Sequence, residues 1–389
     1  MGLRSRPQRL EHLHGIGVDR MGAIGDSSSA DLLRLENLDV DIPPDADAIA
    51  RTRDAVGRDD SNSYLPFRGH TRLRDVAARH VSMMSKVPYS GDRNCIVTAG
   101  GLSGILNVLL ATIDDGDEVI LTDPTYIGLT NRVRLVGGIP KLVPFVFHPG
   151  GDWTFDRDSL REAVGPHTRA MLLMSPSMPS GAHFNEDDWS VIAELCRTRD
   201  LLLILNAAME RLVFDRRPIC HPASLPGMAE RTIIVGSSAK ELRMIGWRVG
   251  WIVAPDALVS DLAAVCLANG VTPVGIAQEA VASALEQSPT KIGRYVAQLQ
   301  ARRDTVLDQL RGLPVGVPAG GWSLLMRVSD FGIDGDTMCE RLLHQGVCAT
   351  SMRGWGLTHG DHYVRFVYSN EPIERLKLLG DRVRSALEL

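Results

Sequence analysis

The chain has 389 residues, of which 44% are hydrophobic and 23% charged, a balance typical of a globular protein with room for two domains. The formal net charge of -5 argues against a nucleic-acid partner, because such proteins usually carry a basic face. No apolar run is long enough to span a membrane, and the N-terminus lacks the apolar stretch of a secretory signal. The six cysteines are scattered without a C-x-x-C pair, which predicts no metal site and favours reduced thiols in the cytoplasm.

Short runs of β-favouring residues alternate with helical patterns between about residues 75 and 275. Several of these runs are continuously apolar, as in strands that are buried on both faces. The alternation predicts an α/β fold, in which a large domain has a mostly parallel, seven-stranded sheet flanked by helices and a smaller domain is α+β. The predicted strands are residues 95–98, 118–121, 141–143, 170–174, 201–205, 232–235 and 249–253.

The same patterns predict three parts of the chain. Residues 1–45 contain no strong strand and are expected to form an N-terminal arm that joins the small domain. Residues 46–275 hold the predicted sheet. Residues 276–389 begin with a long linking helix that is broken near Pro289, and they end with a helix over residues 373–387.

The segment from Ser237 to Gly250 carries the strongest indication of chemistry. Lys240 lies between two apolar strand patterns, so its amine is placed near a strand end, where it can form an imine with an aldehyde cofactor. Ser237 precedes the lysine by three residues and Arg248 follows it by eight, and both side chains can bind a phosphate. An isolated Ser-x-x-Lys is more often part of a basic surface loop, so this interpretation depends on further motifs.

Two other turns follow predicted strands. The glycine-rich turn 98–104 opens a helical pattern over 105–113, and backbone N–H groups at such a helix start can approach a phosphate. The next strand is followed by Asp123-Pro124-Thr125-Tyr126. Taken singly, a tight turn with glycine and a tyrosine in a loop are both common features.

Together these segments resemble the fold-type I pyridoxal-phosphate enzymes, in particular the class I/II aminotransferases of the aspartate aminotransferase type. The order and spacing of at least six segments agree over about residues 60–385. The resemblance implies pyridoxal 5'-phosphate as the cofactor, held as an aldimine on Lys240, with Tyr126 stacked on its ring. The implied phosphate ligands are the backbone of Gly101 and Leu102 and the side chains of Ser237 and Arg248.

Three more positions take implied roles from this resemblance. Tyr64 matches a tyrosine whose hydroxyl reaches the cofactor phosphate of the other subunit, which implies a homodimer with shared active sites. Arg365 matches the arginine that binds the substrate α-carboxylate, a role that suits its planar fork of donors. Trp322 follows two glycines, and this turn resembles the glycine–aromatic turn that lies near the substrate in the small domain of the family.

Three cofactor contacts of the family are altered in this chain. Asn206 stands where the family has an aspartate that pairs with the protonated pyridine nitrogen and keeps the ring an electron sink. Met178 and Met209 stand where the family has an asparagine and a tyrosine that donate to the phenolic oxygen of the cofactor. The lysine and the phosphate ligands are thus kept, while polar contacts to the ring are lost.

The sequence therefore predicts an aminotransferase that moves an amino group between an amino acid and a 2-oxo acid, with Lys240 carrying the Cα proton. Two alternatives remain open. A pyridoxal-phosphate enzyme with a weaker electron sink could carry out lyase, cyclase or oxidase chemistry in a biosynthetic pathway. A catalytically silent homologue is the other alternative, although the retention of Lys240, Arg248 and Arg365 argues against it.

Overall fold

The computed structural model describes residues 7, 10–13, 15 and 17–389. Its strands are β1 (Leu33–Arg34), β2 (Cys95–Thr98), β3 (Glu118–Asp123), β4 (Ile139–Val146), β5 (Thr154–Phe155), β6 (Thr168–Met174), β7 (Leu202–Asn206), β8 (Thr232–Ser237), β9 (Gly250–Val253), β10 (Ser323–Arg327), β11 (Val347–Cys348), β12 (Thr350–Ser351) and β13 (Tyr363–Val367). Its helices are α1 (Val18–Ser27), α2 (Ala46–Val56), α3 (Asp59–Asn62), α4 (Thr71–Ser85), α5 (Gly91–Asn94), α6 (Gly101–Thr112), α7 (Ile127–Leu135), α8 (Arg157–Ala163), α9 (Glu186–Thr198), α10 (Asp256–Gly270), α11 (Gly275–Gln309), α12 (Gly335–His344), α13 (Ile373–Leu376) and α14 (Leu379–Leu387).

The largest sheet has eight strands in the order β2-β9-β8-β7-β6-β3-β4-β5. Strands β8, β7, β6, β3 and β4 run parallel to one another, β9 is antiparallel to both of its neighbours, and β5 is antiparallel to β4. The predicted mostly parallel α/β sheet is confirmed, and all seven predicted strands form. The eighth strand, β5, has two residues, which is too short to produce a periodic signal in the sequence.

This sheet separates two apolar clusters. Along β7, Leu203 and Leu205 belong to one cluster and Ile204 to the other, because successive side chains of a strand point to opposite faces. Helices α6, α7 and α10 supply residues to the second cluster, including Ile105 and Leu262. Burial on both faces explains why the strands read as continuous apolar runs. Each fully buried aliphatic side chain contributes about 1.5–3 kcal/mol to folding.

The C-terminal part of the chain holds a second, antiparallel sheet with the strand order β10-β13-β12. The N-terminal segment pairs with this part of the chain, because β1 lies parallel to β11 with Leu33 opposite Val347. The beginning of the predicted arm lies partly outside the described residues, and the domain boundaries stay a prediction. Within the described ranges, no helix combines the length and the apolarity needed to cross a bilayer.

The predicted break in the long helix is wrong. Helix α11 continues through Pro289 from Gly275 to Gln309. Proline has no N–H group to donate to the carbonyl four residues earlier, which belongs to Leu285. The hydroxyl of Ser288 donates to that carbonyl instead, over 2.8 Å. The pattern over residues 373–387 was also predicted as one helix, and it forms two, α13 and α14.

Candidate active site

The candidate site lies at the carboxyl ends of the parallel strands β6, β7 and β8. Met174 and Asn206 are the last residues of β6 and β7 and face each other in the strand register, and Ser237 ends β8. Parallel strands end at one edge of a sheet, so their terminal side chains converge there. Lys240 follows β8 in the adjacent turn and reaches the same edge.

One cavity of ≈ 200 Å³ collects most of the predicted site residues. Those that line it are Gly101, Leu102, Tyr126, Met178, Asn206, Met209, Ser237, Lys240 and Arg248. Tyr64, Arg365 and Trp322 do not line it. Sequence reasoning missed five lining residues, which are Leu38, Met174, Ala208, Ala239 and Ile245.

One end of the cavity is an anion cradle formed by Gly100, Gly101, Ser237 and Arg248. Helix α6 begins at Gly101 and no side chain caps it, so the N–H groups of its first turn are free to bind an anion. A Cβ at Gly100, whose φ is +88°, would lie 2.8 Å from Nη2 of Arg248. A Cβ at Gly101 would lie 3.0 Å from the Cβ of Ser237. The absence of these two Cβ atoms lets the helix start approach both side chains.

Arg248 has a strained backbone. Its φ of 53° lies in the left-handed region, which costs a residue other than glycine about 1–3 kcal/mol. Its Nη1 donates to the carbonyl of Ile245 over 3.1 Å, which fixes the guanidinium beside the start of α6. Strain of this kind persists where the surroundings determine the conformation, and here the result is a cation in the anion cradle.

Lys240 is held by contacts from two directions. Its Nζ donates to the carbonyl of Leu38 over 3.2 Å and lies 4.0 Å from the ring centre of the buried Trp322. Burial of the amine lowers the pKa of Lys240 to about 7, and the charges of Arg365 and Arg248 also lower it, whereas Asp39 opposes the shift. A large fraction of this lysine is therefore neutral near pH 7 and able to attack a carbonyl carbon.

The wall between the cradle and the lysine is mostly apolar. Tyr126 packs edge-on against Trp355, with ring centres 5.4 Å apart, and burial raises the pKa of its hydroxyl. Asn206 is buried, and its Oδ1 accepts a hydrogen bond from the backbone N–H of Ala208 over 3.3 Å. Met178 and Met209 add thioether groups, which are weak acceptors and cannot donate.

Arg365 is fully buried beside this cavity. Its Nη2 donates to the carbonyl of Glu36 over 2.6 Å and to Oγ1 of Thr350 over 3.3 Å, and its guanidinium lies 4.8 Å from a ring centre of Trp355. Burial lowers the pKa of Arg365 to about 10, so it stays cationic at neutral pH. Its Nε and Nη1 have no hydrogen-bond partner among the described residues. Unpaired buried donors on a cation suit a carboxylate ligand.

Tyr64 does not take part in the cavity of its own chain. The residue lies just after helix α3 in the chain, and it is 83% exposed. The role that the sequence implied for it requires a second copy of the chain, and it stays a prediction.

These groups fit a phosphorylated aromatic aldehyde such as pyridoxal phosphate. The uncapped helix start with Ser237 and Arg248 matches the phosphate, and the neutral amine of Lys240 matches the aldehyde. The ring of Tyr126 and the thioethers between them offer an apolar surface to a planar ring.

Comparisons with known proteins agree with this geometry. The family described as aminotransferase class I and II matches residues 33–382. The chain belongs to this family. Arginine–pyruvate transaminase AruH of Pseudomonas aeruginosa is 31% identical to this aminotransferase over 318 residues, which cover 80% of this chain and 79% of the relative. Probable N-succinyldiaminopimelate aminotransferase DapC of Mycobacterium tuberculosis is 32% identical over 343 residues, covering 82% and 86%.

A solved structure shows the same fold over nearly the whole chain. The N-succinyldiaminopimelate aminotransferase from Mycobacterium tuberculosis superposes on this aminotransferase with a TM-score of 0.88 and 28% identity, covering 99% of this chain and 98% of the other. The predicted family and its α/β fold are thereby confirmed, and the chain is an enzyme of the aminotransferase class.

The sequence could have indicated one of the missed lining residues, Met174, but not another, Leu38. Met174 ends a predicted strand and pairs with Asn206, so its position at the sheet edge could have been inferred. Leu38 lies in a segment without any periodic pattern. Its carbonyl accepts from Lys240, which lies 202 positions away, and the local sequence carries no signal of that contact.

Proposed function

We propose that this aminotransferase binds pyridoxal 5'-phosphate through Lys240 and moves an amino group between an amino acid and a 2-oxo acid. The observation that carries the proposal is a lysine with a pKa of about 7 in one cavity with an uncapped helix start, Ser237 and Arg248. When bound, the cofactor supplies an aldehyde that captures amines and a ring that withdraws electrons from the substrate Cα.

Different residues of the cavity bind the phosphate and the ring of the cofactor. The N–H groups of Gly101 and Leu102, the hydroxyl of Ser237 and the guanidinium of Arg248 bind the phosphate, while Tyr126 packs on the ring.

Arg365 and Lys240 act on the substrate. The free Nε and Nη1 groups of Arg365 bind the α-carboxylate and so orient the Cα–H bond. With the cofactor bound, the Nζ of Lys240 would take the proton from the substrate Cα and deliver it to the aldehyde carbon of the cofactor. A pKa near 7 suits a group that must act first as a base and then as an acid.

The proposal predicts where the cofactor is attached. Borohydride reduction of the protein loaded with pyridoxal phosphate, followed by peptide mapping, is expected to place the label on Lys240. Lys240→Arg should abolish the labelling, because a guanidinium does not form the imine. The matched control is Lys291→Arg, since Lys291 is a surface lysine paired with Asp45 and its replacement should leave the labelling intact. Label on another residue, or no uptake of cofactor, contradicts the proposal.

Cofactor uptake is also expected to depend on pH in a defined direction. Only the neutral amine attacks the aldehyde, and burial moves the pKa of Lys240 down from 10.5 to about 7. The rate of imine formation should therefore rise as the pH increases through about 7 and level off above it. Rapid-mixing absorbance measurements over a pH series test this expectation. A midpoint near that of an exposed lysine, about pH 10, would show that the amine is not held in this cavity.

We further propose that the enzyme is a homodimer in which Tyr64 reaches the phosphate bound by the other subunit. Two features support a partner at this surface. Tyr64 is 83% exposed and Phe67, three residues later, is 55% exposed. Phe67 also lines a surface groove together with the exposed Val271. Neighbouring exposed apolar side chains mark interaction surfaces.

The dimer makes a prediction for Tyr64→Phe. Loss of one hydrogen bond to the phosphate, about 1 kcal/mol, should weaken cofactor retention by roughly 5-fold while sedimentation still gives a dimer. Tyr89→Phe is the matched control, because the Tyr89 hydroxyl has no hydrogen-bond partner among the described residues. A stable monomer that binds cofactor tightly is the contrary result.

A cytoplasmic location is also proposed. The cysteines at positions 95, 196, 220, 266, 339 and 348 are all free thiols, which is the usual state in a reducing compartment.

A further inference from the structure

The carboxamide of Asn206 has a defined orientation at the edge of the cavity. Its Oδ1 accepts from the backbone N–H of Ala208 over 3.3 Å, and a backbone N–H can only donate, so the oxygen end faces the main chain. The Nδ2 group is the other end of the same planar amide, and the side-chain hydrogen bond that Asn206 makes to the described residues is the one to its Oδ1. Asn206 is 7% exposed and lines the cavity, so Nδ2 offers the bound ligand a donor.

The charges around the cavity have one sign. Lys240 and Arg248 line it and the guanidinium of Arg365 lies close enough to lower the pKa of Lys240, whereas no aspartate or glutamate of the described residues lines it. The carboxylate that raises the pKa of Lys240, that of Asp39, is not part of the lining. A cation on a ring bound here would find no carboxylate partner among the described residues that line the cavity.

The apolar wall of the cavity also disfavours a positive charge on a bound ring. Met174, Met178 and Met209 share the cavity lining with Asn206 and cannot stabilise a charge on a bound ring by donating a hydrogen bond. Placing an unpaired charge against such a surface is unfavourable, so the neutral form of a titratable ring is favoured.

We propose that Asn206 is a positioning residue that donates Nδ2–H to the ring nitrogen of the cofactor and holds that nitrogen unprotonated. The inference rests on the proposed function, because it requires pyridoxal phosphate in this cavity. An unprotonated pyridine nitrogen has a lone pair that accepts a hydrogen bond, whereas a pyridinium is itself a donor and would face the donor Nδ2. The geometry thus assigns this aminotransferase a cofactor ring that withdraws electrons from the substrate less strongly than a protonated ring would.

The test is the nitrogen NMR signal of pyridoxal phosphate labelled with ¹⁵N in the ring and bound to the protein. The native enzyme is expected to give the chemical shift of an unprotonated pyridine at neutral pH. Asn206→Asp should move the signal toward the protonated range, because an ionised carboxylate accepts from and stabilises the pyridinium. Asn206→Leu, of similar size but without a donor, should keep the unprotonated shift and retain the cofactor about 5-fold less tightly.

The outcomes separate the two proposals. Cofactor that is reducible onto Lys240 but shows a pyridinium shift in the native enzyme overturns the role of Asn206 and leaves the proposed function intact. Unaltered cofactor retention in Asn206→Leu also overturns it. Absence of any bound signal overturns both proposals. The native spectrum decides the protonation state even if the aspartate variant does not fold.

Discussion

Replacing Lys240 by alanine is expected to lower kcat for amino transfer by a factor of about 10²–10⁴ or more, the share that a positioned acid–base group usually contributes. The variant loses both the attachment point of the cofactor and the group that carries the Cα proton. Single-turnover formation of the amino form of the cofactor, followed by absorbance, measures the loss. Retention of more than about a tenth of the native rate would contradict the role of Lys240.

Two comparisons separate chemistry from structure in this experiment. Lys240→Arg keeps a positive charge in the cavity but should be as inactive as the alanine variant, because a guanidinium stays protonated. A small primary amine added in solution should restore part of the rate to Lys240→Ala only, since alanine leaves space for it.

The sheet, and the site residues at the carboxyl ends of its strands, could be predicted because short stretches of the sequence indicate them. Apolar runs bounded by turn residues gave the seven main strands, and parallel pairing places whatever follows those strands at one edge. Ser237 and Asn206 end their strands, so their convergence with Lys240 follows from the order of elements alone. The glycines before α6 were readable for the same reason, as a turn between a strand and a helix.

The features that escaped prediction depend on contacts between distant segments. Leu38 meets Lys240 across more than two hundred positions of the chain, and the carbonyl of Glu36 meets Arg365 in the same way. Where α11 passes Pro289, the hydroxyl of Ser288 donates to the carbonyl that proline cannot serve, and a general rule for proline in helices does not anticipate this contact. The role of Tyr64 depends on a second chain and stays a prediction.

Replacing Asn206 by aspartate is expected to raise the rate of Cα–H bond breaking by a factor on the order of 10–100. A hydrogen bond to a charged partner is worth ~1.5–3 kcal/mol, and the factor follows if this difference is expressed in the transition state. An aspartate would hold a proton on the ring nitrogen, and a protonated ring would withdraw electrons from Cα more strongly than an unprotonated one. The cavity amplifies the effect, because Met178 and Met209 give the ring no other polar support. Washout of deuterium from an α-deuterated amino acid measures this step directly.

The comparison with Asn206→Leu makes the result specific to charge. Leucine cannot accept a proton from the ring, so this variant should exchange deuterium no faster than the native enzyme. If Asn206→Asp binds cofactor normally and yet exchanges at the native rate or more slowly, a protonated ring is not what limits this site. The amide of Asn206 would then suit the reaction that the enzyme performs. A pyridoxal-phosphate reaction that builds up less negative charge at Cα would account for Asn206 better than amino transfer does.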